Sequence, residues 1–231
     1  MSPSNIADAL GRVRERIERA AISSGRDPRD VHLLAVSKTK SEDAIREAYA
    51  AGQRAFGENY AQELDTKARL LADLADLQWH FIGHLQSNKA KQVARVVSCV
   101  HTIDRAAIAH ELAKRALPSQ PISVFLEVNV AGESQKFGVA PSALGPLLDV
   151  VRAEPSLRLR GLMTMPPLGG DEVDLDLARR TFQDLVALRD EHGGPMLLPE
   201  LSMGMSDDLE VAIACGATWV RVGTAIFGDR G

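Results

Sequence analysis

Short apolar runs alternate with amphipathic stretches about eight times along this chain, and that alternation restricts the fold more than any other feature. Strands are expected over 31–36, 54–57, 79–82, 96–103, 122–128, 157–163, 199–203 and 219–222. Between them the pattern predicts helices from a Ser41 cap to Ala51, and over 60–74, 89–93, 105–117, 141–153, 172–191 and 207–215. Strand-helix alternation implies parallel strands joined by right-handed crossovers. Eight such units in 231 residues favour one closed (β/α)8 barrel, a single domain over 1–231, above an open doubly wound sheet. The open sheet would carry G-x-G-x-x-G after its first strand, and none is there. Ala50-Ala51-Gly52 and Ala214-Cys215-Gly216 both read as helix, glycine stop, short strand, a local echo of repeated units. An extra amphipathic helix precedes the first strand, with Ile6, Leu10, Val13, Ile17 and Ala21 on one face and Gly25 and Pro28 closing it.

The first strand ends in Ser37 and Lys38. A lysine there either reaches water or is used as an amine that bonds an aldehyde. In a barrel the strand ends converge at one mouth. Those ends bring together Lys38, Asn59, His84, Asp104, Asn129, Met165, the segment 202–206 and the segment 221–224. One Lys, one Arg, two Asn and Ser- and Gly-rich loops suit a small polar anion carrying an aldehyde. The last two loops read either as ordinary turns or as a phosphate cradle of backbone N–H groups, with Ser206 as an N-cap. Asp207 and Asp208 would repel a phosphate unless they face solvent. Arg221, between Val220 and Val222, points opposite to them and needs an acceptor, either a ligand ring nitrogen or a buried carboxylate.

Other features weigh less. His80 and His84 are four apart at a strand end without H-E-x-x-H, so no metal is expected. Tyr49 reads as helix packing, and Tyr60 adjoins Asn59. The formal charge of −4, without a basic block, argues against nucleic acid. The two cysteines, Cys99 and Cys215, sit in apolar segments and suggest a reducing, cytoplasmic setting. No signal peptide and no apolar run of roughly 20 residues is visible, so no membrane is expected.

Several segments together resemble the pyridoxal phosphate homeostasis proteins, also called the YggS or PROSC group. They are HLLAVSKTK, Phe56-Gly57-Glu58-Asn59-Tyr60, WHFIGHLQSNK, Gly161-Leu162-Met163-Thr164-Met165 and LSMGMSDDLEVAIACGATWVRVGTAIFG. The resemblance covers almost the whole chain, the variable parts being the N-terminal helix, the loop around Gly169 and Gly170, and the final residues. It implies a fold-type III barrel like the N-terminal domain of alanine racemase. By it, Lys38 carries pyridoxal 5′-phosphate (PLP) as a Schiff base. Ser206, Gly223 and Thr224 hold the phosphate, Arg221 faces the pyridine nitrogen, and Asn59 lines the cofactor. The implied role is buffering or delivery of PLP, with apo-PLP enzymes as recipients, affecting amino-acid and keto-acid balance, without an assigned reaction. Racemases of this fold add a tyrosine base from a separate β domain of a partner subunit. No domain is expected after the last strand here, and no tyrosine stands at a matching place. An arginine at the ring nitrogen also weakens the ring as an electron sink. The expectation is a cytoplasmic, monomeric carrier. The alternatives are a racemase-like PLP enzyme and a cofactor-free Schiff-base aldolase.

Overall fold

The computed structural model describes residues 6–133, 136–167 and 173–228. Eight parallel strands close into a barrel in sequence order. They are β1 (His32–Val36), β2 (Ala55–Glu58), β3 (Gln78–Phe81), β4 (Val97–Ile103), β5 (Ile122–Glu127), β6 (Leu157–Met163), β7 (Glu200–Ser202) and β8 (Trp219–Val222). Closure is by β1 on β8, with His32 opposite Trp219 and Leu34 opposite Arg221. The helices are α1 (Ile6–Ser23), α2 (Glu42–Ala50), α3 (Ala61–Leu70), α4 (Ala90–Ala94), α5 (Ala106–Ala113), α6 (Leu144–Arg152), α7 (Leu175–Glu191), α8 (Gly194–Leu197), α9 (Leu209–Ala214) and α10 (Thr224–Phe227). The barrel expected from the alternation is therefore the fold observed.

The helix after β8 is only four residues long, too short to cover its side of the barrel. α1 fills that gap, packing against α2, α9 and α10 with Leu10, Val13 and Ile17 buried. Arginines on this segment fasten it. Arg16 pairs with Glu210 at 2.7 Å, and Arg26 donates to the carbonyls of Ile213 and Ala217 at 2.8 and 2.7 Å. Apolar side chains between strands and helices form the main core, while Cys99, Phe125 and Met163 form a smaller cluster against Trp219. Cys99 and Cys215 are both free thiols.

Several element ends differ from the periodicity. Val31 does not open β1; its N–H closes a 3-10 turn on the Pro28 carbonyl at 3.2 Å. α3 and α5 stop earlier than expected, with Leu71 and Lys114 as C-caps. α7 starts at Leu175 because the Asp174 carboxylate accepts from the N–H groups of Asp176 and Leu177 at 3.0 and 2.9 Å. Glu172, Gly169 and Gly170 lie outside the described residues. No helix among the described residues is long and apolar enough to cross a membrane.

Candidate functional site

At the C-terminal end of the strands a cavity of about 210 Å³ is lined by Lys38, Asn59, Met165, Ser206, Asp207, Arg221, Gly223 and Thr224, among others. Every residue singled out from the sequence as a ligand contact borders this one space. Its size is at the small end for ligand cavities, fitting a compact molecule. A larger hollow of about 460 Å³ opens near Arg14, His32 and Trp219 at the opposite end of the strands. Its arginines are already engaged: Arg14 donates to the Ala51 carbonyl at 2.8 Å and Arg54 pairs with Asp76 at 2.6 Å. Size alone therefore does not mark the site.

Lys38 is half-buried in a turn that the Lys40 N–H closes on the Ser37 carbonyl at 3.0 Å. The next residue, Thr39, has φ 64°, the left-handed region that a β-branched side chain rarely enters. A buried ionic network holds it there. The Lys67 ammonium donates to the Ser37 carbonyl (2.7 Å), Glu58 Oε1 (2.8 Å) and Glu63 Oε1 (2.6 Å). Glu58 also accepts from the Ser37 hydroxyl at 2.6 Å, and Glu63 from the Thr39 N–H at 2.6 Å. Burial raises the Glu58 carboxyl above the usual range, with Lys67 pulling it down. The sequence reading passed over Lys67. The available signal was its position between Leu64 and Leu71 on the buried face of a helix, where a lysine needs partners.

Asn59 follows β2, and its backbone is crowded by Gly83. A Cβ on Gly83 would fall 2.0 Å from the Asn59 carbonyl oxygen, so only glycine allows this approach. Asn59 Oδ1 is buried with no hydrogen-bond partner among the described residues. An orphaned acceptor on a pocket wall is what a missing ligand donor would satisfy.

The last two loops differ from expectation in one respect. Ser206 does not cap α9; Asp208 is the N-cap residue, and its carboxylate accepts from the Met205 N–H at 2.5 Å. Asp207 is exposed, but Asp208 is buried, so only one of the two acids faces solvent. Burial raises the Asp208 carboxyl, against the Met205 N–H and the charge of Arg221. The Ser206 carbonyl is anchored by Arg16 at 2.9 Å, which leaves the residue on the pocket wall. Gly223 passes close to β1, where a Cβ would meet the Val36 carbonyl oxygen at 3.2 Å. Thr224 opens α10; the Ile226 and Phe227 N–H groups both donate to the Gly223 carbonyl at 2.9 Å, which leaves those of Thr224 and Ala225 without a backbone acceptor among the described residues.

Arg221 is 4% exposed. Its Nη1 donates to Ser202 Oγ at 2.9 Å and its Nη2 to the Thr164 carbonyl at 3.0 Å. No carboxylate pairs with it among the described residues, so the buried salt bridge considered from sequence is not its solution. Burial lowers its pKa to about 10, opposed by the charges of Asp208 and Glu127. Glu127, which the sequence reading missed, is 3% exposed at the end of β5. Burial, with Asp104 adding repulsion, pushes its carboxyl up to about 7.

Other strand-end residues do not border this cavity. His84 lies in an adjacent hollow of about 240 Å³ with Asn59, Tyr60 and Lys89, its ring stacked on Phe137 at 3.8 Å and its Nδ1 3.6 Å from Asp104. Asn129 secures its own loop, donating to the Glu133 carbonyl at 2.7 Å. Tyr49 is engaged with Asp76 and lies under Arg54. His80 and His84 do not form a pair; His80 is inside the barrel, within hydrogen-bond distance of His101 at 2.9 Å. His80, His101 and Cys99 present N and S atoms within 4.8 Å of one another, all buried.

The chain matches the family described as alanine racemase, N-terminal domain, over residues 9–231. The pyridoxal phosphate homeostasis protein of Pseudomonas aeruginosa is 50% identical over 228 residues, covering 98% of this chain and 96% of that protein. The structure of PipY from Synechococcus elongatus with PLP bound superposes with a TM-score of 0.81 at 38% identity, covering 96% of this chain and 100% of that one. An alanine racemase from Corynebacterium glutamicum gives a TM-score of 0.66 at 20% identity, covering 95% of this chain and 60% of that one, a likeness of fold.

Proposed function

The chain belongs to the alanine racemase N-terminal domain family and, within it, to the pyridoxal phosphate homeostasis proteins, and on that premise we propose that it is a reversible carrier of PLP. The observation that carries this reading is the convergence of Lys38, Asn59, Arg221, Ser206, Gly223 and Thr224 on one small cavity. When bound, the cofactor supplies an aldehyde that condenses with a primary amine, losing one water, and hydrolysis reverses the bond. Lys38 is that amine. Ser206, Gly223 and Thr224 take the phosphate, helped by the N–H groups of Thr224 and Ala225. Arg221 donates to the pyridine nitrogen and keeps it from gaining a proton. Asn59 Oδ1 accepts from a donor on the ligand.

Storage and delivery fit this set better than turnover. An unprotonated ring withdraws electrons poorly. The tyrosines give no second base at the cavity, since Tyr49 is tied to Asp76 and Tyr60 borders the neighbouring hollow. The reading includes a cytoplasmic monomer that hands its cofactor to apo-PLP enzymes. A racemase-like alternative would need a proton carrier such as Glu127, a buried acid that burial pushes up to about 7, but Glu127 is not among the residues lining the cavity.

The test is the visible spectrum of the protein mixed with PLP, before and after borohydride. Borohydride should fix the chromophore covalently on Lys38, and Lys38→Ala should show no fixed chromophore. A label retained by Lys38→Ala would defeat the assignment. Incubation with one enantiomer of alanine in heavy water separates the alternative, because α-deuteration at enzymatic rates would require catalysis.

A further inference from the structure

A line of buried polar side chains runs from Arg221 into the barrel interior, and none of its inner members touches the cavity described above. Ser202 Oγ lies 2.8 Å from His101 Nδ1, and His101 Nε2 lies 2.9 Å from His80 Nδ1. Ser202 and His101 are wholly buried, and His80 is 3% exposed. The direction of the protons follows from one end. Arginine carries donors only, so Ser202 Oγ accepts from Arg221. The hydroxyl proton of Ser202 then needs an acceptor, and His101 Nδ1 is the one within reach. That nitrogen is bare, so His101 bears its proton on Nε2 and donates to His80 Nδ1, and His80 also carries its proton on Nε2. The reverse order would leave the Ser202 hydroxyl proton, at a fully buried site, without an acceptor among the described residues. Neutral rings agree with this. Burial pushes His80 down to about 3 and holds His101 well below the usual imidazole range.

We propose that Ser202, His101 and His80 are positioning residues for Arg221, a one-way hydrogen-bond chain that sets the plane of its guanidinium against the ring of the bound cofactor. This role rests on the carrier reading above. Two neutral acceptors, Ser202 Oγ and the Thr164 carbonyl, hold the two Nη atoms. The charges that attract the guanidinium are the acids Asp208 and Glu127. With the chain intact the guanidinium stays fixed between them and keeps its donors toward the cavity. With the chain cut, it swings to an acid and the ring nitrogen loses its partner.

The first arm of the test needs no cofactor. Long-range ¹H–¹⁵N correlation spectra of the histidine-labelled protein at neutral pH should show His101 and His80 both as Nε2–H tautomers. A proton on His101 Nδ1 would overturn the chain. The second arm uses Ser202→Ala, His101→Leu and His101→Asn, the last keeping an acceptor near the Nδ1 position. Ser202→Ala and His101→Leu should weaken PLP binding about tenfold and shift its visible band, with His101→Asn restoring most of both. The ³¹P resonance of the bound phosphate should not move, whereas general loosening of the fold would move it too. If His101→Leu does not fold, Ser202→Ala alone decides. Spectra unchanged in Ser202→Ala would overturn the positioning role while leaving the carrier reading intact. A parent protein that takes up no PLP would overturn both that reading and the role, with the tautomers unaffected.

Discussion

Replacing Lys67 with methionine tests how the Lys38 turn is held. The substitution keeps a similar stem and removes a charge that three oxygens share, those of Ser37, Glu58 and Glu63. Glu58 is fully buried and its second oxygen, Oε2, already lacks a partner, so Lys67 is its main compensation. Breaking a buried pair from one side costs about 3–5 kcal/mol. The loss should depend on pH, with a sign that follows from Glu58. Its carboxyl is raised in the folded protein even with Lys67 present, and removing Lys67 raises it further. A raised acid contributes its stability below the unfolded pKa of about 4.3 and loses it as pH climbs through the folded value, at about 1.4 kcal/mol per unit. Urea unfolding followed by circular dichroism should therefore show the full deficit at about pH 8 and only about 1–2 kcal/mol of it at about pH 5. The double variant Lys67→Met/Glu58→Gln should recover most of the loss at the higher pH. Binding of PLP should weaken in the single variant, because Thr39 loses the support of Glu63. Equal deficits at the two pH values, with no recovery in the double variant, would refute the reasoning.

Three further outcomes follow from local geometry. Thr39→Gly relieves a left-handed backbone and should raise stability by up to about 1 kcal/mol while weakening PLP binding, a pairing that calorimetry and a spectral titration would detect together. Gly83→Ala places a methyl 2.0 Å from the Asn59 carbonyl, so it should cost more than about 2 kcal/mol in urea unfolding, or keep its stability only by moving Asn59 and losing affinity. Asn129→Ala should lower stability by about 1 kcal/mol through its loop and leave PLP affinity alone; a large loss of binding would place Asn129 at the site.

The barrel was legible because eight apolar runs, each closed by a polar or glycine residue, admit few arrangements. Strand closure brought Lys38, Asn59 and Arg221 to one mouth, but equally His84, Asp104 and Asn129, which do not line the cavity; the family resemblance, rather than topology, separated the two groups. What escaped was whatever depends on side-chain partners across elements. Lys67 reads as one more charged helical residue until Glu58 and Ser37 are seen beneath it. His101 lies mid-strand among apolar residues, and nothing local marks it as the neighbour of both His80 and Ser202. His80 and His84 were set aside together, and their spacing did not show that β3 ends at Phe81, with one ring inside the barrel and the other beyond the strand. Ser206 looked like a cap because serine commonly is one, yet Asp208 occupies that position, its buried carboxylate turned back to the Met205 N–H.

Closure of the barrel by β1 against β8 has a consequence for how the binding site is assembled. The amine that would hold the cofactor follows β1, while the arginine and part of the cradle lie on and just after β8, seven strands later in the chain. The amine alone could bond the aldehyde only as any lysine does; the specific site needs both halves. Joining them requires the slow, long-range pairing typical of parallel sheets, finished by the first helix covering the seam. Uptake of the vitamin would thus report that the barrel has closed, and a loaded protein would resist unzipping at that seam in proportion to the free ligand around it.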